Sequence, residues 1–229
     1  MRFLFEHWVY EYEASRIFSQ LVDLYKQQQN SKKIAENIFR GRSRSVSSEA
    51  EDLMAQFISK NIKRHCTYYV DQPLQFGASN IVKYPDIFIL ENDKTISHLI
   101  DIKLDVGWNR DAMLDFCGIR HREVIKVLGK TTQFNTKNEM GEKVENKNMR
   151  FSENLTYHIL LFSRENAKKG LLDEHYAQIL NKYKNIKLYI LSEGIHPNEY
   201  VTKEEIMAKL QVNDVEFQQL LSILNNEIA

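Results

Sequence analysis

The sequence predicts an α/β layered domain built around a mixed sheet, with helical additions at its N- and C-terminal ends. Three observations carry that expectation. Apolar residues recur at helical spacing in several separated segments, and between these lie short runs rich in Val, Ile, Leu, Phe and Tyr that alternate as strands do. The two patterns follow one another as helix, three strands, helix, strand, helix, strand and a closing helical pair, an order that layers helices on a sheet. The chain has 229 residues, 43% of them hydrophobic and 27% charged, with only 8 Gly and 3 Pro. Those proportions suit one compact domain over residues 1–229, with a core at about 47–191, an N-terminal helical extension over 1–46 and a C-terminal helical pair over 202–229.

Taken in order, Phe3 to Lys26 carries Val9, Ile17, Leu21 and Leu24 at helical spacing, which suits packing or dimerisation. Asn30 to Ser48 is polar, basic and Ser-rich, and Ser47 or Ser48 is positioned to cap a helix over Glu49 to Ile62. Ala50, Leu53, Met54, Phe57 and Ile58 share one side of that helix. Thr67 to Val70, Ile81 to Leu90 and Thr95 to Leu104 read as strands, the last two joined by the turn residues Glu91-Asn92-Asp93-Lys94. A helix over Asn109 to Leu128 follows. Gly129 to Ser152 is too long and polar for an ordinary connector, so it is either functional or disordered. Leu155 to Phe162 and Ile186 to Leu191 read as strands around a helix at Leu171 to Tyr183, and Thr202 to Leu210 with Asp214 to Leu224 closes the chain. That last pair has helix-turn-helix proportions, but its acidic balance favours a packing or dimer role over groove insertion.

Charge and composition narrow the function classes. Lys and Arg number 31 and Asp and Glu 31, so the net charge is zero. The charge is unevenly distributed. Lys32, Lys33, Arg40, Arg42, Arg44, Lys60, Lys63 and Arg64 crowd the first third, while the last thirty residues lean acidic, so any nucleic-acid surface belongs to the first two thirds. The opening Met1 to Phe5 is interrupted by Glu6, His7, Glu11 and Glu13 before a signal sequence could form, and no apolar run reaches the ~18 residues of a membrane span. A cytoplasmic protein is expected. Cys66 and Cys117 lack zinc spacing and do not make a disulfide framework. No Gly-rich phosphate loop is present, and no Ser or Cys has an identifiable base.

The most informative passage is Tyr84-Pro85-Asp86-Ile87-Phe88-Ile89-Leu90, the turn, and then Leu99-Ile100-Asp101-Ile102-Lys103. Strand alternation puts Asp101 and Lys103 on one face and Ile100, Ile102 and Leu104 on the other. Antiparallel pairing across the short turn brings Asp86 beside them. Phe88, Leu90 and Leu99 share the face of the charged residues, so the strands look central, and buried charges ask for a partner or a metal. A surface ion pair on an edge hairpin is the bland alternative. Magnesium takes oxygen ligands, and Asp86, Asp101 and the Ile102 carbonyl supply them. Lys103 is then placed to orient a water and offset charge on a phosphate.

These residues resemble the Pro-Asp, spacer, Asp/Glu-x-Lys motif of the PD-(D/E)xK nuclease superfamily, which includes many restriction enzymes, junction resolvases and recombination exonucleases. The resemblance extends to the order helix, three-strand meander, helix, strand, which covers roughly Ser47 to Phe162. It implies a restriction-endonuclease-like αβββαβ core and a Mg2+-dependent DNA endonuclease, with Mn2+ a possible substitute. Many members add a carboxylate from the helix before the meander. Glu51 is the preferred candidate here and Glu49 the second, with a helix-dipole role the alternative for either.

For DNA contact, Arg40, Arg42 and Arg44 offer guanidinium forks to phosphates, and Asn109 and Arg110 follow the metal-bearing strand. A solvated loop and a helix cap at Asn109 are the competing readings. His98, His121 and His158 read as structural histidines. The most specific expectation is a type II restriction enzyme acting on double-stranded DNA as a homodimer, because one chain offers one metal centre and a symmetric double-strand cut needs two. The insert Gly129 to Ser152, with Gln133, Asn135 and Asn138, would then help to read bases. A structure-specific repair or recombination nuclease is the second reading. A noncatalytic DNA-binding module on the same fold is the third, and the complete Asp86, Asp101, Lys103 set argues against it.

Overall fold

The computed structural model describes residues 2–30, 33–36, 38–40, 45–76, 81–107, 111–137, 140–168 and 170–225, with side chains described outside 2–13, 33–35, 38–39, 136–137 and 146–147. The elements in chain order are α1 (Arg2–Asn30), β1 (Lys33–Ala35), β2 (Ile38–Phe39), α2 (Ser47–Asn61), β3 (Cys66–Val70), β4 (Leu74–Gln75), β5 (Val82–Lys83), β6 (Ile87–Glu91), β7 (Thr95–Lys103), α3 (Met113–Val127), β8 (Thr131–Lys137), β9 (Lys143–Leu161), α4 (Leu171–Lys182), β10 (Ile186–Ile190), β11 (Ser192–Glu193), α5 (Lys203–Lys209), β12 (Gln211–Val212) and α6 (Asp214–Asn225). The central sheet runs β10-β9-β7-β6-β3, with β8 added alongside β9. Strands β3, β6 and β7 form an antiparallel meander, whereas β9 pairs parallel with β7 on one side and with β10 on the other. The fold is therefore mixed α/β.

Strand alternation divides the core into two layers, one on each face of this sheet. On one face Ile87, Ile89, Ile100, Ile102, Leu160 and Tyr189 are buried against α1, α2, α5 and α6. On the other, Phe88, Leu99, Tyr157, Ile159, Leu161 and Leu188 are buried against α3 and α4. The N-terminal helix thus has a packing role: Ala14, Ile17, Phe18, Leu21 and Val22 are buried, and α1 lies against α2, α5 and α6. The C-terminal pair does likewise through Ile206, Phe217, Leu220, Leu221 and Leu224, held to the sheet end by the small ladder between β11 and β12. Its first helix carries a full capping box between Thr202 and Glu205.

Several local expectations are corrected. The strand expected over Ile81 to Leu90 is broken, because Pro85 has no N–H to give to a ladder. The first piece, β5, pairs with β4 instead, and the Asp86 carbonyl accepts from the Asp71 N–H. Helix α2 begins at Ser47, and neither Ser47 nor Ser48 caps it; the Ser45 hydroxyl accepts the Ser47 N–H instead. Helix α3 begins at Met113 rather than at Asn109. The insert at 129–152 is largely a β-hairpin: β8 pairs antiparallel with the first part of β9, and β9 continues unbroken into the central sheet. Its polarity disguised it, since Thr132 and Phe134 turn inward while Gln133 and Asn135 face solvent. Among the described residues no helix is long and apolar enough to cross a membrane.

Two of the three histidines read as structural, His98 and His158, lie inside the core. His98 and His158 are buried side by side on adjacent strands, with Nδ1 of the first 3.0 Å from Nε2 of the second. His158 Nδ1 in turn lies 3.1 Å from the Tyr189 hydroxyl. Both thiols are free, and burial pushes each up to about 12.

Candidate active site

Ile87 pairs with Ile100 across the β6–β7 ladder, so Asp86, one residue earlier, lies across from Asp101. Asp86 is fixed by the backbone of the neighbouring strand: its Oδ2 accepts the Ile102 N–H, which ties the carboxylate to the end of β7. Lys103 extends along the same edge, with Nζ 3.7 Å from Asp101 Oδ2, 3.9 Å from Asp86 Oδ2 and 3.2 Å from the Ile102 carbonyl oxygen. The expected convergence of two carboxylates, one ammonium and one backbone carbonyl is present. Asp101 is almost completely buried, with a relative exposure of 2%.

Glu51 comes to this cluster from α2. Burial first, and then the charges of Asp86, Asp71 and Asp52, push its carboxyl up to about 7, with Lys103 opposing. Asp86 is raised as well, by burial and by Asp101, against the Ile102 N–H and Lys103. Glu49 is exposed. Of the two helix acids, Glu51 is therefore the one electrically coupled to the strand carboxylates.

The residue that sequence reasoning missed is Arg120. It projects from α3, and its Nη2 donates to Asp101 Oδ2 at 3.1 Å, closer than Lys103. Its other terminal nitrogen donates to Glu123 Oε2 at 2.9 Å, and Glu123 Oε1 lies 2.7 Å from Lys83 Nζ on β5. The guanidinium rests over the Phe116 ring at 4.9 Å and the Tyr157 ring at 5.5 Å. Burial opposes its charge, but Tyr157, Asp101 and Glu123 more than compensate and keep it cationic. A signal for it existed: the buried stripe of α3 runs Met113, Cys117, Val124, Val127, and Arg120 occupies the position between Cys117 and Val124 on that stripe.

The donor set suits a hard divalent cation in kind, since Asp86, Asp101, Glu51 and the Ile102 carbonyl are all oxygen ligands and two of the carboxyls are raised by burial and then by their neighbours' charge. Among the described residues, no three His, Cys, Asp or Glu side chains already stand as a metal cage. Asp101 is engaged by Arg120 and Lys103, so a cation binding there competes with the guanidinium.

Of the residues expected to contact DNA, Arg40 is exposed just after β2, whereas Arg42, Arg44, Asn109 and Arg110 lie outside the described residues. No protein-family model matches this chain, and no curated protein or solved structure is significantly similar to it.

Proposed function

We propose that this chain is a divalent-metal-dependent DNA endonuclease of the PD-(D/E)xK type, and specifically a type II restriction enzyme that cuts double-stranded DNA as a homodimer. The observation that carries the reading is the convergence of Asp86, Asp101 and Lys103 at the end of two adjacent strands, with Lys103 Nζ within 4 Å of both carboxylates. The antiparallel meander after α2, followed by α3 and a parallel strand, agrees with the restriction-endonuclease-like core.

In this reading Asp86, Asp101 and the Ile102 carbonyl hold Mg2+, with Glu51 the added carboxylate from α2. Mg2+ supplies a Lewis acid for the scissile phosphate and a bound water of lowered pKa. Lys103 does two jobs. Its ammonium orients the attacking water by donating to it, and it offsets the charge that builds on the phosphate oxygens. Arg120 acts through Asp101: it holds that carboxylate on the face of β7 before the metal binds and gives way to the cation.

The test is digestion of unmethylated plasmid with Mg2+ or Mn2+, beside Ca2+ and chelator controls. Discrete fragments are expected with the first two ions only, whereas cutting confined to branches or ends would replace restriction with structure-specific cleavage. Asp86→Ala and Asp101→Ala should abolish cutting, and Lys103→Ala should slow it on the order of a hundredfold. Cleavage at the wild-type rate by either aspartate variant would remove the metal-site assignment.

A further inference from the structure

A groove of about 240 Å3 is lined by Pro73, Gln75, Val82, Gln133, Phe134 and Asn135. We propose that this groove reads the edge of a base pair, with a preference for A·T, next to the phosphate that the site would cut. The inference rests on the nuclease reading and adds a recognition element to it.

The groove is built where two hairpins meet. Gln75 lies on β4 and Val82 on β5, while Gln133 and Asn135 lie on the outer face of β8. The seam is fixed: the Thr132 hydroxyl donates to the Gln75 carbonyl at 2.6 Å, and Gln133 Nε2 donates to Gln75 Oε1 at 3.0 Å. Below, the buried Phe134 ring meets Tyr69 edge-on at 4.7 Å and Phe88 at 5.3 Å, which anchors the floor to the central sheet.

The chemistry of the lining selects the ligand. It contains no charged side chain, which suits neither a phosphate nor a metal. One hydrogen bond between two carboxamides always leaves a spare donor on one amide and a spare acceptor on the other, whichever way the pair is turned. Side by side, that donor and acceptor complement N7 and N6 of adenine, and Asn135 adds a third amide. Val82, nearly half exposed at 48%, offers an apolar wall to the thymine methyl group. An antiparallel ribbon such as β8 with β9 is also narrow enough to enter a major groove.

The location agrees. Val82 lies four positions before Asp86, so their Cα atoms are at most about 14 Å apart, a few base steps along a duplex. Lys83, between them, ties β5 through Glu123 and Arg120 to Asp101, so the groove is braced against the carboxylate cluster.

The experiment compares wild type with Gln133→Ala and Asn135→Ala on a library of randomised duplexes, sequencing the cut ends with Mg2+ and measuring duplex binding with Ca2+. Both positions are exposed, so folding is not at stake. Wild type should favour A·T at one or two adjacent pairs, and each variant should lose about tenfold or more of that preference. Unchanged preference in both variants, or no preference in wild type, would overturn the groove's role and leave the nuclease reading standing. A wild-type protein that neither binds nor cuts the library would overturn both.

Discussion

Replacing Arg120 by Met tests how the candidate site is held together in the absence of metal. The substitution keeps an unbranched apolar stem over Phe116 and Tyr157 but removes the closer of the two cations facing Asp101. Stripping one partner from a fully buried ion pair costs about 3–5 kcal/mol. Here Lys103 remains 3.7 Å away and the Arg120 side chain is 22% exposed, which lowers the expected loss to about 2–3 kcal/mol. In a domain of this size each kcal/mol moves the melting temperature by about 2–4 °C, so Arg120→Met should melt roughly 4–12 °C below wild type in chelator. Millimolar Mg2+ should then recover more stability in the variant than in wild type, because no guanidinium has to leave Asp101 first. Thermal melts of both proteins with and without Mg2+ are the assay, with Asp101→Asn as the control that abolishes the difference. Equal melting in chelator would mean that Asp101 does not depend on Arg120. Equal Mg2+ responses would mean that the guanidinium and the metal do not compete.

Two further predictions concern acid stability. Burial, reinforced by the charge of Arg64, pushes His98 down to about 4, and His158 is lowered too. Since the unfolded chain takes up these protons near the ordinary histidine value, stability is complete above about 6.5 and is lost as pH falls toward 4, on the order of 3 kcal/mol from His98. In NMR titrations both rings should stay neutral until the protein unfolds; a ring titrating near 6.5 in the folded state would contradict their burial. Burial alone would raise Glu91, but hydrogen bonds from Arg64, Ser97 and Cys66 hold it down at about 2. Its contribution is present above about 4.5 and lost as pH falls through 2, so Glu91→Gln, discounted for the water that screens this half-buried group, should cost about 1–2 kcal/mol at neutral pH in denaturant titrations and progressively less in acid, and a pH-independent cost would refute the ionic account.

The sequence was most legible where alternation and burial agree. Asp101 and Lys103 on one face of the strand end, with Ile100 and Ile102 on the other, could be read directly because side-chain direction in a strand follows from counting. Arg120 could not be read that way. A helix residue finds its partner through the packing of α3 against the sheet, and a position 19 residues after Asp101 has no local rule connecting it to that carboxylate. The arm formed by β8 and β9 was obscured for another reason: most of its residues stay in water, so the hydrophobic contrast that marks a strand is reduced to Phe134, Met149 and Phe151. Choosing between Glu49 and Glu51 likewise required α2 to be oriented on the sheet, which only tertiary packing does.

The two sides of the sheet do not become complete at the same time as the chain leaves the ribosome. The layer beneath α3 and α4 draws its buried residues from positions 74–190, so it can close before α5 and α6 have been made. The opposite layer needs Phe217, whose ring meets Phe57 at 5.4 Å and Phe18 at 6.4 Å, together with Leu220, Leu221 and Leu224. Until those arrive, the layer of Ile87, Ile89, Ile100 and Ile102 has only α1, α2 and α5 against it, and the nascent protein carries an incompletely roofed apolar surface of the kind that chaperones hold. Synthesis therefore shapes the side that bears Asp101 and Arg120 first and seals the molecule last from its C-terminal helices.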